Sequence, residues 1–213
     1  MRLVGRSVER MATPDFILRL REKIGTDPLW LAGCTAVVLR PAAPLPTREA
    51  EVLPSNPADE VADAHASREQ RVAVSPASGL EVLLVRRSDN GWWTPITGVT
   101  DPGEHPATTA VRESLEEARV TVEVERLVQV SVMQEITYAN GDRAQYLDLA
   151  FRCRWLSGEA AVGDDESTEV RWFLVDELPD MREHLAARIR CAVANRPECE
   201  LLVDGRPLPL MLP

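Results

Sequence analysis

Hydrophobic and polar positions switch several times between two periods along this chain, and those switches outline its elements. Thr13 reads as an N-cap, Pro14 as the first helical position and Gly25 as a stop. A helix over about residues 14–24 follows, with Phe16, Ile17, Leu20 and Ile24 forming one stripe toward the body of the protein. Cys34–Leu39 and Leu80–Val85 are short apolar runs that read as buried strands. Val120, Val122 and Val124, then Val128, Val130 and Val132, alternate with other residues and predict period-two strands. Asn140-Gly141 supplies a hairpin turn. The returning strand places Leu147, Leu149, Phe151, Cys153 and Trp155 on one side, with Asp148, Arg152 and Arg154 on the other. Val170–Val175 predicts a last core strand, and Leu178, Met181, Leu185, Ile189 and Ala192 recur at helical spacing. The predicted order, with a helix on the segment after residue 104, is α-β-β-α-β-β-β-α, which is α/β (α+β) with a mixed sheet.

Three stretches fall outside this pattern. Residues 41 to about 70 are rich in Pro, Ala, Glu and Asp without sustained periodicity, and read as a flexible insert. Residues 1–29 read as an N-terminal extension with its helix, 30–195 as one catalytic domain, and 196–213 as an irregular C-terminal tail with prolines at 207, 209 and 213. The tail and the first helix offer surface for a homodimer.

Composition narrows the chemistry. A net charge of -10 disfavours loose attachment to a nucleic-acid polymer or an anionic lipid surface, so a phosphate-bearing ligand calls for a cation. No run approaches the roughly 20 apolar residues of a membrane span. The N-terminus has no apolar core like that of a secretory signal, so a cytoplasmic location is expected. Cys34, Cys153, Cys191 and Cys199 contain no CxxC pair and read as free thiols.

One segment carries a candidate active site. Gly98-Val-Thr-Asp-Pro-Gly-Glu104 leads into a helical pattern containing Arg112-Glu113-Ser-Leu-Glu116-Glu117. Ala107, Ala110, Val111, Ser114, Leu115 and Ala118 recur at helical offsets and are expected to form the buried face. Glu113, Glu116 and Glu117 share another face, where residues three and four apart are neighbours and like charges repel unless a cation lies among them. Their oxygens suit Mg²⁺. The plainer alternative is a solvated helix on which Arg112 and Glu116 form an ordinary exposed ion pair. His105 is read as a helix-start residue rather than a catalyst.

Together these residues resemble the Nudix box: Gly98, Glu104, Arg112, Glu113, Glu116, Glu117 and Val120 match its pattern across 23 residues. Ser114 stands where an apolar residue is expected. Arg119 stands where glycine usually ends the helix, at a cost of about 1 kcal/mol if it adopts the left-handed conformation. The resemblance implies a Nudix-like αβα sandwich around a mixed β-sheet. It further implies Mg²⁺ (Mn²⁺ as substitute) bound by Glu113, Glu116, Glu117 and the Gly98 carbonyl, with Arg112 orienting the glutamates. The implied reaction is attack of water on the diphosphate linkage of a small nucleoside diphosphate derivative.

Family members often draw a further carboxylate from a loop before a late Trp-bearing strand. Asp164-Asp165-Glu166 precedes Trp172, and Glu166 is the first choice. Trp92, Trp93 and Tyr138 are candidates to stack on a base, with core or rim roles as the alternative. Three rivals remain open: a Nudix-fold nucleotide sensor that does not cut, an isomerase requiring Cys34 or Cys153 in its pocket, and an interaction protein whose acidic helix is merely solvated.

Overall fold

A computed structural model of the chain describes residues 13–42 and 79–208. The expected insert at 41–70 lies outside them except for its first two residues. Among the described residues no helix is long and apolar enough to cross a membrane.

The first helix, α1, runs Asp15–Ile24. Pro14, not Thr13, is its cap, because the Pro14 carbonyl accepts from Ile17 N–H at 2.9 Å and Leu18 N–H at 3.2 Å. Only part of the expected stripe is covered: Ile17 is buried against Leu31 and Ala144, Phe16 packs beside it, and Leu20 is exposed. Arg21 fastens the helix by donating to the carbonyl oxygens of Gly25, Asp27 and Arg143.

The central strand β1 (Leu29–Pro41) extends beyond the predicted run at both ends. It is followed by β2 (Leu80–Arg87), β3 (Trp93–Thr94), β4 (Ile96–Val99), the helix α2 (Pro106–Ala118), β5 (Thr121–Val132), β6 (Ile136–Thr137), β7 (Arg143–Ser157), β8 (Ser167–Leu174), α3 (Glu183–Ala194), β9 (Glu200–Val203) and β10 (Arg206–Pro207). The sheet order is β10-β9-β5-β7-β1-β2-β3, with β4 on β1, β6 on β7 and β8 on β2. β1 lies parallel to β7, from Leu29 opposite Ala144 to Leu39 opposite Arg154. β5 is antiparallel to β7, so the sheet is mixed, as expected.

Two of the predicted strands are one. Val122, Val124, Val128, Val130 and Val132 lie on the one strand β5, with Val120 just before it, and β5 is interrupted by register shifts between Val124 and Arg126 and between Leu127 and Gln129. A bulge moves later side chains to the opposite face. Hence Val122 packs in one core layer and Val128 in the other.

Those layers lie on either side of the sheet. Under α2, Cys34, Ala36, Val38, Leu83, Val85, Ile96 and Phe151 pack with Ala110 and Ala118. Under α3, Val37, Leu39, Val82, Leu84 and Ala150 pack with Ile189 and Ala192. This is the expected αβα sandwich. The polar side of β7 is therefore covered too. Asp148 is paired with Arg188 at 3.2 Å and accepts from Thr35 Oγ1 at 3.0 Å, while Arg152 donates to the Ala192 carbonyl. Burying a charge requires this kind of pairing and hydrogen bonding.

The helix after residue 177 begins only at Glu183, so Leu178 and Met181 join the same core from the preceding loop. The tail differs most from expectation. Residues 200–207 form β9 and β10 around the Asp204-Gly205 turn, and β9 pairs in parallel with β5. The positive φ of Asp204 (48°) and Gly205 (74°) suits a two-residue hairpin turn.

Candidate active site

β4 and α2 bring the Gly98–Val120 segment together at one end of β1. Gly98 lies opposite Cys34 in the β1–β4 ladder. A Cβ at Gly98 would sit 2.1 Å from Glu113 Oε1, so the missing side chain is what lets Glu113 lie over this strand. His105 caps α2: its Nδ1 accepts from the Ala107 N–H at 3.1 Å, which bears out its reading as a helix-start residue.

The buried face of α2 differs from the hydrophobic reading. Thr109, Ala110, Ser114, Glu117 and Ala118 are buried, whereas Val111 and Leu115 are 37% and 52% exposed. Small residues at 110, 114 and 118 let the helix approach the sheet closely, and this orientation turns Glu117 inward. Ser114, the departure from the apolar pattern, donates to the Ala110 carbonyl at 2.7 Å and so leaves no buried hydroxyl unsatisfied.

Arg119 itself takes the left-handed conformation, with φ 58° and ψ 25°. Its N–H donates to the Leu115 carbonyl and the next N–H, of Val120, to that of Ser114. Its guanidinium also donates to the Gly163 carbonyl, so the residue in place of glycine fastens the loop that crosses the helix end. Gly163 N–H donates to the Glu117 carbonyl at 2.9 Å and Ala161 N–H to that of Ala118 at 3.2 Å. This docked loop carries Asp164, Asp165 and Glu166 toward the glutamates.

Arg112 organises the helix surface. Its Nε donates to Glu104 Oε1 at 3.1 Å, Nη1 to Glu113 Oε1 at 2.9 Å and Glu116 Oε2 at 2.8 Å, and Nη2 to Glu104 Oε2 at 3.1 Å and the Val99 carbonyl at 3.4 Å. Glu104 also accepts from Thr109 Oγ1 at 2.8 Å. The Arg112 hydrogen bond, together with those from Thr109 and the Asp101 backbone, holds the Glu104 carboxyl below its usual range against a smaller effect of burial.

Glu117 has no such relief. It is 2% exposed and its Oε1 has no hydrogen-bond partner. Burial pushes its pKa well up, and the charges of Glu113, Glu166 and Asp164 add to this, with Arg87 opposing. Burial likewise raises Glu113, to about 7, against the pull of Arg112. Glu166 is raised by burial first, with Arg87 opposing and Asp164 adding. Thus Glu113, Glu117 and Glu166 act on one another through charge, whereas Glu116, expected on the same face, turns outward onto Arg112.

For Glu113 the folded pKa exceeds its ordinary 4.5. Folding therefore favours its protonated form: the contribution is most favourable below pH 4.5 and is progressively lost as pH rises to about 7. In metal-free protein, Glu113→Gln is expected to flatten this part of the Tm-against-pH curve. An unchanged curve would exclude the assignment.

The donor chemistry fits a hard divalent cation. Carboxylate oxygens dominate, one of them buried without a partner, and Glu113 lies directly against Gly98. As placed, however, no group of three or more His, Cys, Asp and Glu side chains among the described residues is gathered closely enough to hold a metal ion. Arg112 holds two of the carboxylates, Glu113 and Glu116, on itself.

The stacking candidates lie elsewhere. Trp93 packs edge-on against Phe173, with centroids 4.9 Å apart, in the layer under α3. With Trp92, Arg86 and Pro179 it lines a shallow groove. Tyr138 is a half-exposed turn residue whose hydroxyl is 2.7 Å from that of Tyr146. Neither joins the carboxylate cluster. Cys34 lies beneath Gly98 but is only 1% exposed, and Cys153 is in the core. Burial raises both thiols above their ordinary pKa, with charge from Glu113 adding at Cys34. Neither thiol opens onto the carboxylate site as the isomerase reading required. All four cysteines are free.

The NUDIX domain family model matches residues 68–194. This chain belongs to the Nudix family. A MutT-like protein of Streptomyces ambofaciens is 38% identical to this Nudix chain over 109 residues, covering 51% of this chain and 65% of that protein. The NAD-capped RNA hydrolase NudC of Pseudomonas aeruginosa (strain LESB58) is 31% identical over 105 residues, covering 48% of this chain and 35% of that protein. The matches thus span less than two thirds of these curated relatives. Among solved structures, a UDP-X diphosphatase superposes with a TM-score of 0.51 at 18% identity, covering 88% of this chain and 73% of that one, a likeness of fold alone.

Sequence reasoning missed Gly163 and Arg87. Gly163 shows no motif; its role is a close approach, since a Cβ there would sit 1.7 Å from the Glu116 carbonyl oxygen. Arg87 ends β2 opposite Ser167, beside the acidic loop, and the only sequence signal was the pair of arginines closing an apolar strand.

Proposed function

We propose that this Nudix protein hydrolyses the diphosphate linkage of a small nucleoside diphosphate derivative. The observation that carries the reading is Glu117: a carboxylate 2% exposed, with one oxygen unpartnered, packed among other carboxylates. Burying charge in this way is expensive unless a cation or its equivalent compensates it. Glu113, Glu116, Glu117 and the Gly98 carbonyl would hold Mg²⁺ or Mn²⁺, which would supply charge neutralisation for the diphosphate and lower the pKa of a water.

The chain's own groups do the rest. Arg112 holds Glu104, Glu113 and Glu116 in fixed relation, so these carboxylates need not reorganise individually. The loop fastened by Gly163 and Arg119 presents Glu166, which takes the proton from the attacking water as the P–O bond to the leaving phosphate breaks. Glu113, raised to about 7, is the alternative proton acceptor. Trp93 and Tyr138 are rim groups in this reading, available to a base only if the nucleoside extends away from the carboxylates.

The test is release of nucleoside monophosphate or phosphate from ADP-ribose, NAD, nucleotide sugars, nucleoside triphosphates and dinucleotide polyphosphates, with Mg²⁺ or Mn²⁺. Because one group of relatives is named for NAD-capped RNA, an NAD-capped oligonucleotide belongs in the panel. Metal-dependent turnover of at least one compound is expected. Tight nucleotide binding with no turnover on any compound would replace this reading with the sensor.

A further inference from the structure

One stripe of α1 is left over from the packing of the helix on the sheet. Ile17 is buried and Arg21 donates to the carbonyl oxygens of Gly25, Asp27 and Arg143, so these two residues hold the helix in place. Phe16, Arg19, Leu20 and Lys23 follow at offsets of three, four and seven, which sets them along one side of the helix. Leu20, expected in the core, is 38% exposed, and Arg19 and Lys23 are exposed as well. Among the described residues neither cation has an ion-pair or hydrogen-bond partner. Lys23 is also the only lysine of the chain.

With Glu22 and Pro102 this stripe lines a groove of about 340 Å³ between α1 and the loop that leads from β4 to Glu104. Small-molecule sites occupy about 300–1,000 Å³. Residues four apart on a helix have Cβ atoms about 5–6 Å apart, so the long side chains of Arg19 and Lys23 can meet on one phosphate group. Phe16 and Leu20 share that spacing and, with Pro102, supply apolar surface for a flat ring. Glu22 on the rim opposes one of the two cations. None of the carboxylates of the candidate active site lines the groove.

We propose that this groove binds a nucleoside monophosphate without a metal ion, its phosphate between Arg19 and Lys23 and its base against Phe16, Leu20 and Pro102. Charge-assisted hydrogen bonds suit the phosphate and the apolar wall suits the base. The stripe from Phe16 to Lys23 is about 10 Å long, the scale of one nucleotide and a short track for a docking acidic helix. The net charge of -10 disfavours a longer nucleic acid. The site is independent of the diphosphate-hydrolase reading. The simpler alternative is a solvated helix face whose cations stay in water, and it predicts no preference for an anion that carries a base.

Pyridoxal 5′-phosphate, itself a flat ring bearing a phosphate, tests this, because it forms a Schiff base with lysine that borohydride reduces to a stable amine. Peptide mapping then separates Lys23 from the N-terminal amine. The full chain is labelled in EDTA, so the outcome does not depend on whether the carboxylates hold a metal ion or turn a substrate over. Lys23 is expected to be labelled about tenfold faster by pyridoxal 5′-phosphate than by pyridoxal, and AMP should protect it about tenfold better than inorganic phosphate or adenosine. Arg19→Gln, at an exposed position where Ile17 and Arg21 still hold α1, is expected to raise the AMP concentration needed by about tenfold. Equal labelling by the two aldehydes, no protection by AMP, or equal protection by AMP and inorganic phosphate overturns the proposal. So does a 5′-phosphorylated oligonucleotide that protects at far lower concentration than AMP, which assigns the groove to a nucleic-acid track instead.

Discussion

Glu117→Gln is expected to reduce kcat by about 1,000-fold or more, within the range for loss of a positioned acid–base or charge-stabilising group. Its fold should survive, because the amide nearly matches the carboxylate in shape. Its stability should move in the opposite direction from its activity. With the folded pKa well above 4.5, metal-free wild type loses stability as pH rises from 4.5 toward that folded value, since the site increasingly buries a charge. Gln carries no charge to bury. At pH 8 without metal the variant should therefore have a higher Tm than wild type, and the gap should close as pH approaches 4.5. Added Mg²⁺ should raise the Tm of wild type and leave that of Glu117→Gln nearly unmoved. Activity within tenfold of wild type would remove Glu117 from the reaction, and a lower Tm at pH 8 would show that its carboxylate is a structural hydrogen-bond acceptor after all.

Gly163→Ala should be the most disruptive single methyl in the described chain. The added Cβ would meet the Glu116 carbonyl oxygen at 1.7 Å and the carbonyl carbons of Glu116 and Glu117 at 2.8 and 3.0 Å. These are backbone atoms at the end of a helix, so the loop must lift instead. Lifting forfeits the Gly163 N–H bond to the Glu117 carbonyl and loosens the one from Arg119. Overpacking of this kind costs about 1–3 kcal/mol and the lost hydrogen bond about 1 kcal/mol more. The expected stability loss is about 2–4 kcal/mol, measurable by urea titration at unchanged m-value. Because the same loop presents Glu166, kcat should fall more than the loss of folded protein explains. A variant with wild-type stability and kcat would show that the loop is not anchored there.

The glutamate helix was legible because its pattern is local. Glu104, Arg112, Glu113, Glu116 and Glu117 lie at spacings that a single strand-loop-helix brings together, and the structure joins all five through Arg112 or through their mutual charge. The mistakes arise where long-range packing overrides a local pattern. Leu115 was assigned inward for its hydrophobicity, yet Glu117 took the inner position, and the small residues at 110, 114 and 118 supplied the contact instead. β9 was read as tail because Glu200–Val203 offers only four residues and no alternation; its strand character comes from the open side of β5. Gly163 was invisible for a related reason, since what makes it necessary is another segment passing within van der Waals distance. Trp93 was put forward for its nearness in sequence to the motif, but β3 pairs with β2 at Arg86 and the Trp93 ring packs in the layer under the other helix.

That last pairing of β9 has a consequence for how the chain keeps to itself. Without residues 200–207, the backbone of β5 at Gln129–Val132 would be a bare edge, open to another copy of the same strand. With them, the edge passes outward to β10, a strand of two residues whose last member, Pro207, has no N–H to offer. This segment thereby turns an adhesive border into a blunt one, and a domain cut at residue 195 would keep its carboxylates while gaining a tendency to associate.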